Sequence, residues 1–346
     1  MKVIYVADKK PEKKEFLLAE AKQQLEIQGF SNDGHVLFKY ANAEQGVDQT
    51  FGVNLKKYLA HQQEDPSISR SFLDRYMWTA EEKTDNEPSE GAYIFKPEWR
   101  SPKPQLYGKL SEDVVYEKGE NIEQWTITYE DAKTNEKAII KVRFSQFVPE
   151  LIEFVVELNS IPIDDIKGKD VTVNWKMFGG FDAQKTFWSD SNALEMEERN
   201  IRELMREDQT FAGNMYPITS AIAMRDFKKD SNTQVTIMND RVQGGSADLS
   251  DNSTIELIQH RRILRDDGKG VSEPLNETDS FDDLGLQVFA RYQMQIFNFE
   301  KGKSLQRSSQ IQLQDPLQYF FIFDFTVKES AKKLAQEHTS LVEIQK

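Results

Sequence analysis

The sequence has no cysteine and four histidines among its 346 residues. Without cysteine the chain cannot form a disulfide, and cysteine usage gives no evidence for secretion. His35, His61, His260 and His338 are far apart, and none belongs to a His-x-Asp, His-x-x-His or His-Glu-x-x-His pattern. A zinc site needs three or four ligands that converge on one point. We therefore expect no metal site and no cofactor in this chain.

Long apolar runs and an excess of basic residues are also missing. No stretch of about 18 apolar residues occurs, so no transmembrane helix is predicted. The formal net charge is −14, and an acidic surface argues against nucleic acid and anionic membranes as partners. The first residues, Met1–Lys10, turn charged after seven residues, which is too short for the apolar region of a signal peptide.

Alternation of apolar and polar residues dominates what is present. Gln124–Tyr129 and Ala138–Phe144 alternate on either side of a turn at 131–135, which predicts a hairpin. Further strands are predicted at 35–40, 50–55, 154–158, 171–175, 217–226, 234–240, 254–263, 286–299 and 317–327. Many short strands at this spacing predict a mostly β fold, a large antiparallel β-sandwich.

Helical signals lie near the two ends of the chain. Residues 11–28 place apolar side chains on one face of a charged amphipathic helix, and Gly29 is positioned to stop it. The tail, residues 328–346, is also predicted to be helical. We therefore expect short terminal helices beside the sandwich.

The densest cluster of charge follows the strand predicted at 254–263. Arg261, Arg262, Arg265, Asp266 and Asp267 fall within seven residues, and a Gly-x-Gly turn comes next. Arginine offers a rigid fork of donors and carboxylates offer paired acceptors, so such a loop can hold a hydroxylated or charged ligand. The alternative is a solvated loop with surface ion pairs.

Several segments of the chain, in order, resemble the C-terminal region of α-mannosidases of glycoside hydrolase family 38, the lysosomal type in particular. The resemblance covers roughly 200 residues; it is loose over residues 1–75 and nearly absent after about 300. The segments that carry it are Gly91–Pro97, Ile161–Asp164, Phe187–Asn192, Gly213–Pro217, Asp240–Arg241, Gln243–Ser246, Ile255–Leu264, Asp266–Asp267 and Gly270–Asn276.

The resemblance implies a fold and a domain division. The fold would be the galactose-mutarotase-like supersandwich of the family. Residues 1–75 would be a degenerate N-terminal part of the sandwich region with an added helix, 76–327 the C-terminal β-sandwich, and 328–346 the helical tail. Residues 193–208 have helix propensity, but the family implies an extended chain with a loop there, and we adopt that interpretation.

The resemblance also implies a function and a missing partner. In the family, a catalytic zinc and a carboxylate nucleophile belong to an N-terminal barrel that this sequence does not contain. We therefore expect the chain to be inactive alone, to act on α-mannoside glycans with a family 38 barrel from the same precursor or in trans, and to need the zinc of that barrel. The family implies a lysosome or vacuole. The alternatives are a stand-alone carbohydrate-binding or interaction module and a truncated gene product.

The candidate substrate-binding residues are Tyr93, Arg261 and Arg262. The resemblance implies that Tyr93 donates a hydrogen bond near the sugar, and that one of the two arginines lies near the substrate. Adjacent strand residues point to opposite faces, so the other arginine is expected to brace the loop on Asp266 or Asp267. We expect Tyr93 and at least one arginine to lie close together. An ordinary strand tyrosine is the alternative for Tyr93.

The remaining motif residues are interpreted as structural. His260, Asp266 and Asp267 are expected to support the loop, and no residue is assigned a catalytic role. Asp190 and Asn192 are expected to cap their own turns. The glycine pair Gly244–Gly245 is expected to allow a tight bend, because no helix start or Lys-Ser/Thr follows it as in a phosphate loop.

Overall fold

The computed structural model describes residues 23–60, 90–97, 104–190, 192, 195–202, 212–228, 231–247, 251–280 and 283–316. These residues are mostly β-strand. The elements are β1 (Gln23–Phe30), β2 (Val36–Asn42), β3 (Val47–Leu59), β4 (Gln105–Leu106), β5 (Val115–Lys118), β6 (Ile122–Asp131), β7 (Glu136–Ser145), β8 (Ile152–Leu158), β9 (Lys169–Met177), β10 (Thr186–Asp190), β11 (Met196–Asn200), β12 (Tyr216–Ile218), β13 (Ala221–Arg225), β14 (Thr233–Asn239), β15 (Gln243–Ala247), β16 (Thr254–Arg262), β17 (Val288–Asn298) and α1 (Phe299–Gln314).

These strands form two antiparallel sheets. The first has eight strands in the order β1-β2-β3-β9-β16-β15-β12, with β4 paired to β3. The second has nine in the order β11-β10-β13-β14-β17-β8-β7-β6-β5. Every pairing between named strands is antiparallel, as the alternating sequence predicts. None of the described helices is long and apolar enough to cross a membrane.

The core lies between the two sheets and is rich in aromatic rings. Phe154 of β8 meets Phe51 of β3 and Trp175 of β9 edge to face, with ring centroids 6.2 Å and 5.7 Å apart. Trp175 also meets Tyr292 of β17 at 5.0 Å. Each of these contacts joins a strand of one sheet to a strand of the other, which confirms the predicted sandwich.

The first sheet is unusual on its other face. Along β9, Val171, Val173 and Trp175 enter the core, while alternate positions point outward. The outward residues Asp170 and Thr172 are polar, yet both are fully buried. Buried polar groups need hydrogen-bond partners, and those of Asp170 shape the site described below.

The predicted helix at 11–28 is wrong over its last third, residues 23–28. Residues Gln23–Phe30 form β1, which pairs with β2, and Gly29 lies at a β-bulge with a φ of 121° instead of ending a helix. Pairing with β2 and burial of Leu25 in the core outweigh the helical spacing of this segment. Residues 11–22 lie outside the described chain.

Helix α1 was not predicted from the sequence. Asn298 caps it by accepting the Glu300 backbone N–H at 3.1 Å, and Glu300 places a negative charge in the first turn. Leu313 then packs on Ala221 and Met238 of the second sheet. The available signal is Asn298 with Glu300 two residues later, but Asn298 is also the last residue of β17, and the predicted strand at 286–299 extends past it.

Two smaller predictions are also corrected. Gly244 and Gly245 form part of β15 and no bend; a Cβ on Gly245 would lie 2.4 Å from Leu257 Cδ2, so close packing explains the glycine. Asp190 caps a distant turn, accepting the backbone N–H groups of Ser220 at 2.9 Å and Ala221 at 2.8 Å. Asn192 does cap locally, accepting from Glu195 N at 3.4 Å.

Other predictions have mixed standing. The extended interpretation of 193–208 is confirmed for β11, and the turn at 131–135 is present, with Asn135 at a φ of 58°. The strand at 317–327 and the tail at 328–346 lie outside the described residues. β1, β2 and β3 join the first sheet, whereas the boundary at 75–76 is not described, so the domain division stays a prediction.

Candidate functional site

The candidate residues gather at one end of the first sheet. Because neighbouring strands are antiparallel, the end of β3, the start of β9 and the end of β16 meet there. The register places Asp170 between Tyr58 and Arg261. The segment 90–97 crosses this end and is attached to β3 by a bridge between Ala60 and Pro97. The loop after β16 lies beside it.

Tyr93 has a fixed backbone and an exposed ring. Its N–H donates to Asp267 Oδ2 at 2.7 Å, and Gly91 and Ile94 exchange two backbone hydrogen bonds of 3.3 Å around it. Its side chain is 65% exposed. An ordinary buried strand tyrosine would hide its ring, so the alternative interpretation of Tyr93 is not supported. The ring is held out toward solvent by a tight turn.

Gly91 makes this turn possible. A Cβ at Gly91 would lie 2.7 Å from the backbone nitrogen of Asp267 and 2.8 Å from its Cβ. A larger residue would therefore push the turn away from the loop, since the nearest atom belongs to the backbone and cannot rotate aside. The Gly-Ala-Tyr motif thus fits the loop through its glycine as well as its tyrosine.

Arg261 binds the same segment from the strand side. Its Nη2 donates to Ile94 O and to Glu90 Oε1, both at 2.9 Å, and its Nε donates to Asp170 Oδ1 at 2.5 Å. The expected proximity of Tyr93 and an arginine is found, because Arg261 holds the carbonyl of the next residue. The guanidinium itself is mostly buried, with 16% of the side chain exposed.

Arg262 serves a different part of the fold. Its Nη1 donates to Ile161 O at 2.7 Å, and Gly285 lies so close that a Cβ there would be 2.4 Å from Nη1. Burial lowers the pKa of Arg262, although Asp164 raises it. The Ile161–Asp164 motif is therefore tied to β16 by this arginine, which points to a segment other than the one that carries Tyr93.

The loop aspartates do not brace either arginine, so that prediction is wrong. Asp267 accepts from Tyr93 N and, through Oδ1, from Lys269 N at 2.9 Å. Asp266 Oδ2 accepts from Gly268 N at 2.8 Å. Backbone amides at a turn are closer to these short side chains than the guanidinium groups. The arginines find their carboxylates on β9 and in the 90–97 segment instead.

Two carboxyl groups of the site were missed. Glu90 and Asp170 are both fully buried and both contact Arg261. Burial raises the pKa of Glu90 well above its ordinary value of 4.5, the nearby Asp170 raises it further, and Arg261 opposes both. Asp170 carried a signal: an aspartate that begins an alternating Val-Thr-Val strand is unusual, since strands are depleted in aspartate.

His260 of β16 is half-buried and pairs with Val171 of β9. Burial lowers its pKa below the ordinary 6.5, although a hydrogen bond to the backbone of Leu286 raises it. Among the described residues, no group of three or more His, Cys, Asp or Glu side chains could hold a metal ion.

Comparison with known proteins identifies the wider family. The family described as Glycosyl hydrolases family 38 C-terminal domain matches residues 33–269. The chain is 28% identical to a probable alpha-mannosidase of Arabidopsis thaliana over 84% of its own length and 27% of that protein. It is 33% identical to the lysosomal alpha-mannosidase of Homo sapiens over 59% of its length and 19% of that protein. An alpha-mannosidase of Canavalia ensiformis is 29% identical over 72% of the chain and 25% of that protein.

These matches bear directly on the site. The chain spans about a quarter or less of the length of these relatives. The matched region contains Tyr93, both arginines and both loop aspartates. It also includes β2 and β3, whose residues resemble the family only loosely by motif. Because this match covers more than half of the chain, the chain belongs to the family of glycosyl hydrolase family 38 C-terminal domains.

Proposed function

We propose that this chain is the C-terminal portion of an α-mannosidase and forms the rim of its substrate site. The observation that carries the proposal is Tyr93, whose exposed ring stands on a backbone fixed by Asp267 and Arg261. A fixed backbone limits the positions that the hydroxyl can reach, which lowers the ordering cost of donating a hydrogen bond to a sugar oxygen. The lysosomal relatives support the assignment to mannoside breakdown.

In this proposal the chain positions substrate and a separate barrel performs the chemistry. A retaining glycosidase needs two carboxyl groups about 5–5.5 Å apart, on either side of the scissile bond. The carboxyl groups at this site are instead engaged: Asp267 by two backbone amides, and Glu90 and Asp170 by Arg261. A family 38 barrel, from the same precursor or in trans, would supply the nucleophile and the zinc.

The first experiment uses the purified chain alone. We expect no hydrolysis of an aryl α-mannoside and no stoichiometric zinc by elemental analysis. Turnover that a chelator abolishes would overturn the proposal. Binding of mannosides by the isolated chain, lost in Tyr93→Ala, would instead favour the stand-alone carbohydrate-binding module, for which an exposed aromatic ring is also suited.

The second experiment co-expresses the chain with a family 38 catalytic barrel. We expect zinc-dependent activity, and we expect Tyr93→Phe to lower kcat/KM by roughly 10²–10³-fold through loss of one oriented hydrogen bond. Tyr116→Phe is the matched control, because Tyr116 is another exposed tyrosine but lies on β5 of the second sheet. Equal activity of both variants would show that the Tyr93 hydroxyl does not contact substrate.

The arginines separate two roles within that assay. Arg261→Ala should lower activity by releasing the Tyr93 segment, and Arg261→Lys should restore little of it, because a lysine cannot reproduce the guanidinium fork that reaches Asp170, Glu90 and Ile94. Arg262→Ala should act mainly on the Ile161–Asp164 segment. Full activity in all of these variants would make the residues architectural only.

A further inference from the structure

Three charged side chains meet beneath the Tyr93 segment. Arg261 contacts Glu90 Oε1 at 2.9 Å and Asp170 Oδ1 at 2.5 Å, and neither carboxyl side chain is exposed to solvent. One positive group therefore faces two acidic groups in a buried space. If both acids were ionised, the cluster would hold an uncompensated negative charge, which is costly away from water.

The hydrogen bonding of the pair shows where a proton fits. Glu90 Oε2 and Asp170 Oδ2 are both buried, and neither has a hydrogen-bond partner. Two ionised carboxylates offer acceptors alone, whereas a protonated carboxyl group also donates. One proton on Glu90, donated to Asp170, would satisfy both oxygens and leave one anion to balance Arg261.

The surrounding groups do not remove the need for that proton. Lys96 donates its backbone N–H to Glu90 and thereby lowers the pKa of Glu90, an effect smaller than that of burial. His260 pairs with Val171, whose side chain enters the core, so its ring lies on the other face of the sheet from Asp170, and burial keeps the pKa of His260 below 6.5. Across the strand pair, Tyr58 gives its hydroxyl hydrogen to Glu256 at 2.8 Å. From the loop, Asp267 adds a further acidic group beside Gly91.

We propose that Glu90 and Asp170 share one proton and act as positioning residues, holding Arg261 on the carbonyl of Ile94 so that the Tyr93 segment is fixed most firmly in acid. When the pH rises, the proton leaves to solvent and the two anions repel each other. Glu90 belongs to the segment itself, so this repulsion pushes residues 90–94 away from β9. The link between this shared proton and mannoside hydrolysis rests on the proposed function, but the proton itself can be measured without any hydrolysis assay.

The first test looks for the proton directly in the isolated full chain. Infrared spectroscopy across roughly pH 4 to pH 9 should show the carbonyl band of a buried, protonated carboxylic acid that persists above the usual range of glutamate and then disappears. Glu90→Gln should lack this band at every pH while keeping the fold, since its amide can donate to Asp170 and accept from Arg261. Glu273→Gln, an exposed glutamate on the neighbouring loop, is the control and should keep it.

The second test follows the segment itself. After correction for intrinsic exchange, the backbone N–H of Tyr93 should exchange about tenfold faster or more once the acid band is lost. Glu90→Gln should remove this pH dependence. Asp170→Asn should do the same, because the amide that replaces the Asp170 carboxylate can donate a hydrogen bond to Glu90. An unchanged pH profile in Glu90→Gln, or no protonated acid in the parent chain above the ordinary glutamate range, would overturn the proposal.

These readouts are independent of catalysis. If the co-expressed barrel gives no mannosidase activity but the acid band and the exchange profile behave as described, the proposed function fails and the proton-sharing pair stands. If activity appears but the band is missing, the pair fails alone. Should Glu90→Gln not fold, the titration of the parent chain still decides the matter, because the band is measured there.

Discussion

Asp267 accepts the backbone N–H of Tyr93 at 2.7 Å, although 174 residues separate the two in sequence. The bond links the Gly-Ala-Tyr motif to the arginine-rich loop, and both segments lie within the range matched by the family. One segment provides the exposed ring, and the other fixes the backbone from which the ring projects.

Removing that bond should free the Tyr93 segment. We expect Asp267→Ala to lower the free energy of unfolding by about 1–3 kcal/mol, because a partly buried backbone donor loses a charged acceptor. Exchange of the Tyr93 amide should rise more than the global change accounts for. Asp266→Ala is the control, since Asp266 caps Gly268 alone; comparable protection of Tyr93 in the two variants would count against the role of Asp267.

Gly91 should be intolerant of a side chain. In Gly91→Ala the new Cβ meets the backbone of Asp267 at 2.7 Å, so the turn must shift at a cost of about 1–3 kcal/mol. Gly119→Ala is a matched control, with its nearest atom, Ile122 O, at 3.2 Å. Thermal unfolding of both variants checks this, and equal transition temperatures would contradict it.

Arg225 should anchor helix α1 to the second sheet. Its guanidinium lies 3.6 Å from the ring centroid of Phe299 and 4.1 Å from that of Trp188. Arg225→Ala should cost about 1–3 kcal/mol and reduce the helical circular dichroism signal first, since two cation–π contacts are lost. Arg291→Ala should have little effect, because its ion pair with Glu153 is long, at 3.4 Å, and partly exposed.

His35 should weaken the fold in acid. Its ring is fully buried, and burial lowers its pKa below 6.5, although the hydrogen bond to Asp33 raises it. Below pH 6.5 the unfolded chain therefore binds more protons than the folded one. The free energy of unfolding decreases as the pH is lowered, by at most about 1.4 kcal/mol per pH unit. His35→Gln should flatten this slope in denaturant titrations at several pH values.

The sign for Glu90 is opposite, so the two effects must be separated by variants. Its folded pKa lies above 4.5, so the folded chain binds more protons above that pH and stability falls as pH rises. Between the two ordinary values, His35 and Glu90 therefore partly cancel in the parent chain. A slope that is identical in the parent and in His35→Gln would show that His35 does not titrate during unfolding.

Strand alternation made much of the sandwich predictable, and packing explains where prediction failed. Pairs such as β6 and β7 alternate cleanly around their turn. By contrast, β1 has helical spacing and becomes a strand because β2 offers it an edge, a long-range fact that local spacing does not contain. Gly245 of β15 likewise reflects the side chains of Leu257 and Ile218, which approach it in space.

The site residues that belong to a family motif were predictable from the sequence, whereas those that matter because they are buried together were not. Tyr93 and Arg261 came from the family resemblance, and the structure brings their segments together. Glu90 and Asp170 gave weak signals, because a single acidic residue in sequence does not reveal that it will be enclosed beside another. The partners of Asp266 and Asp267 were mispredicted for the same reason: charge suggested ion pairs, but turn geometry favoured backbone amides.

The position of β17 determines when the nine-stranded sheet can be completed during synthesis of the chain. β17 pairs with β14 on one side and β8 on the other, so it joins two blocks of the nine-stranded sheet that are otherwise unconnected in it. Until residue 298 has left the ribosome, both blocks display open edges of apolar strands, the kind of surface that promotes misassembly. A nascent chain stalled before β17 should therefore be the species most dependent on chaperones.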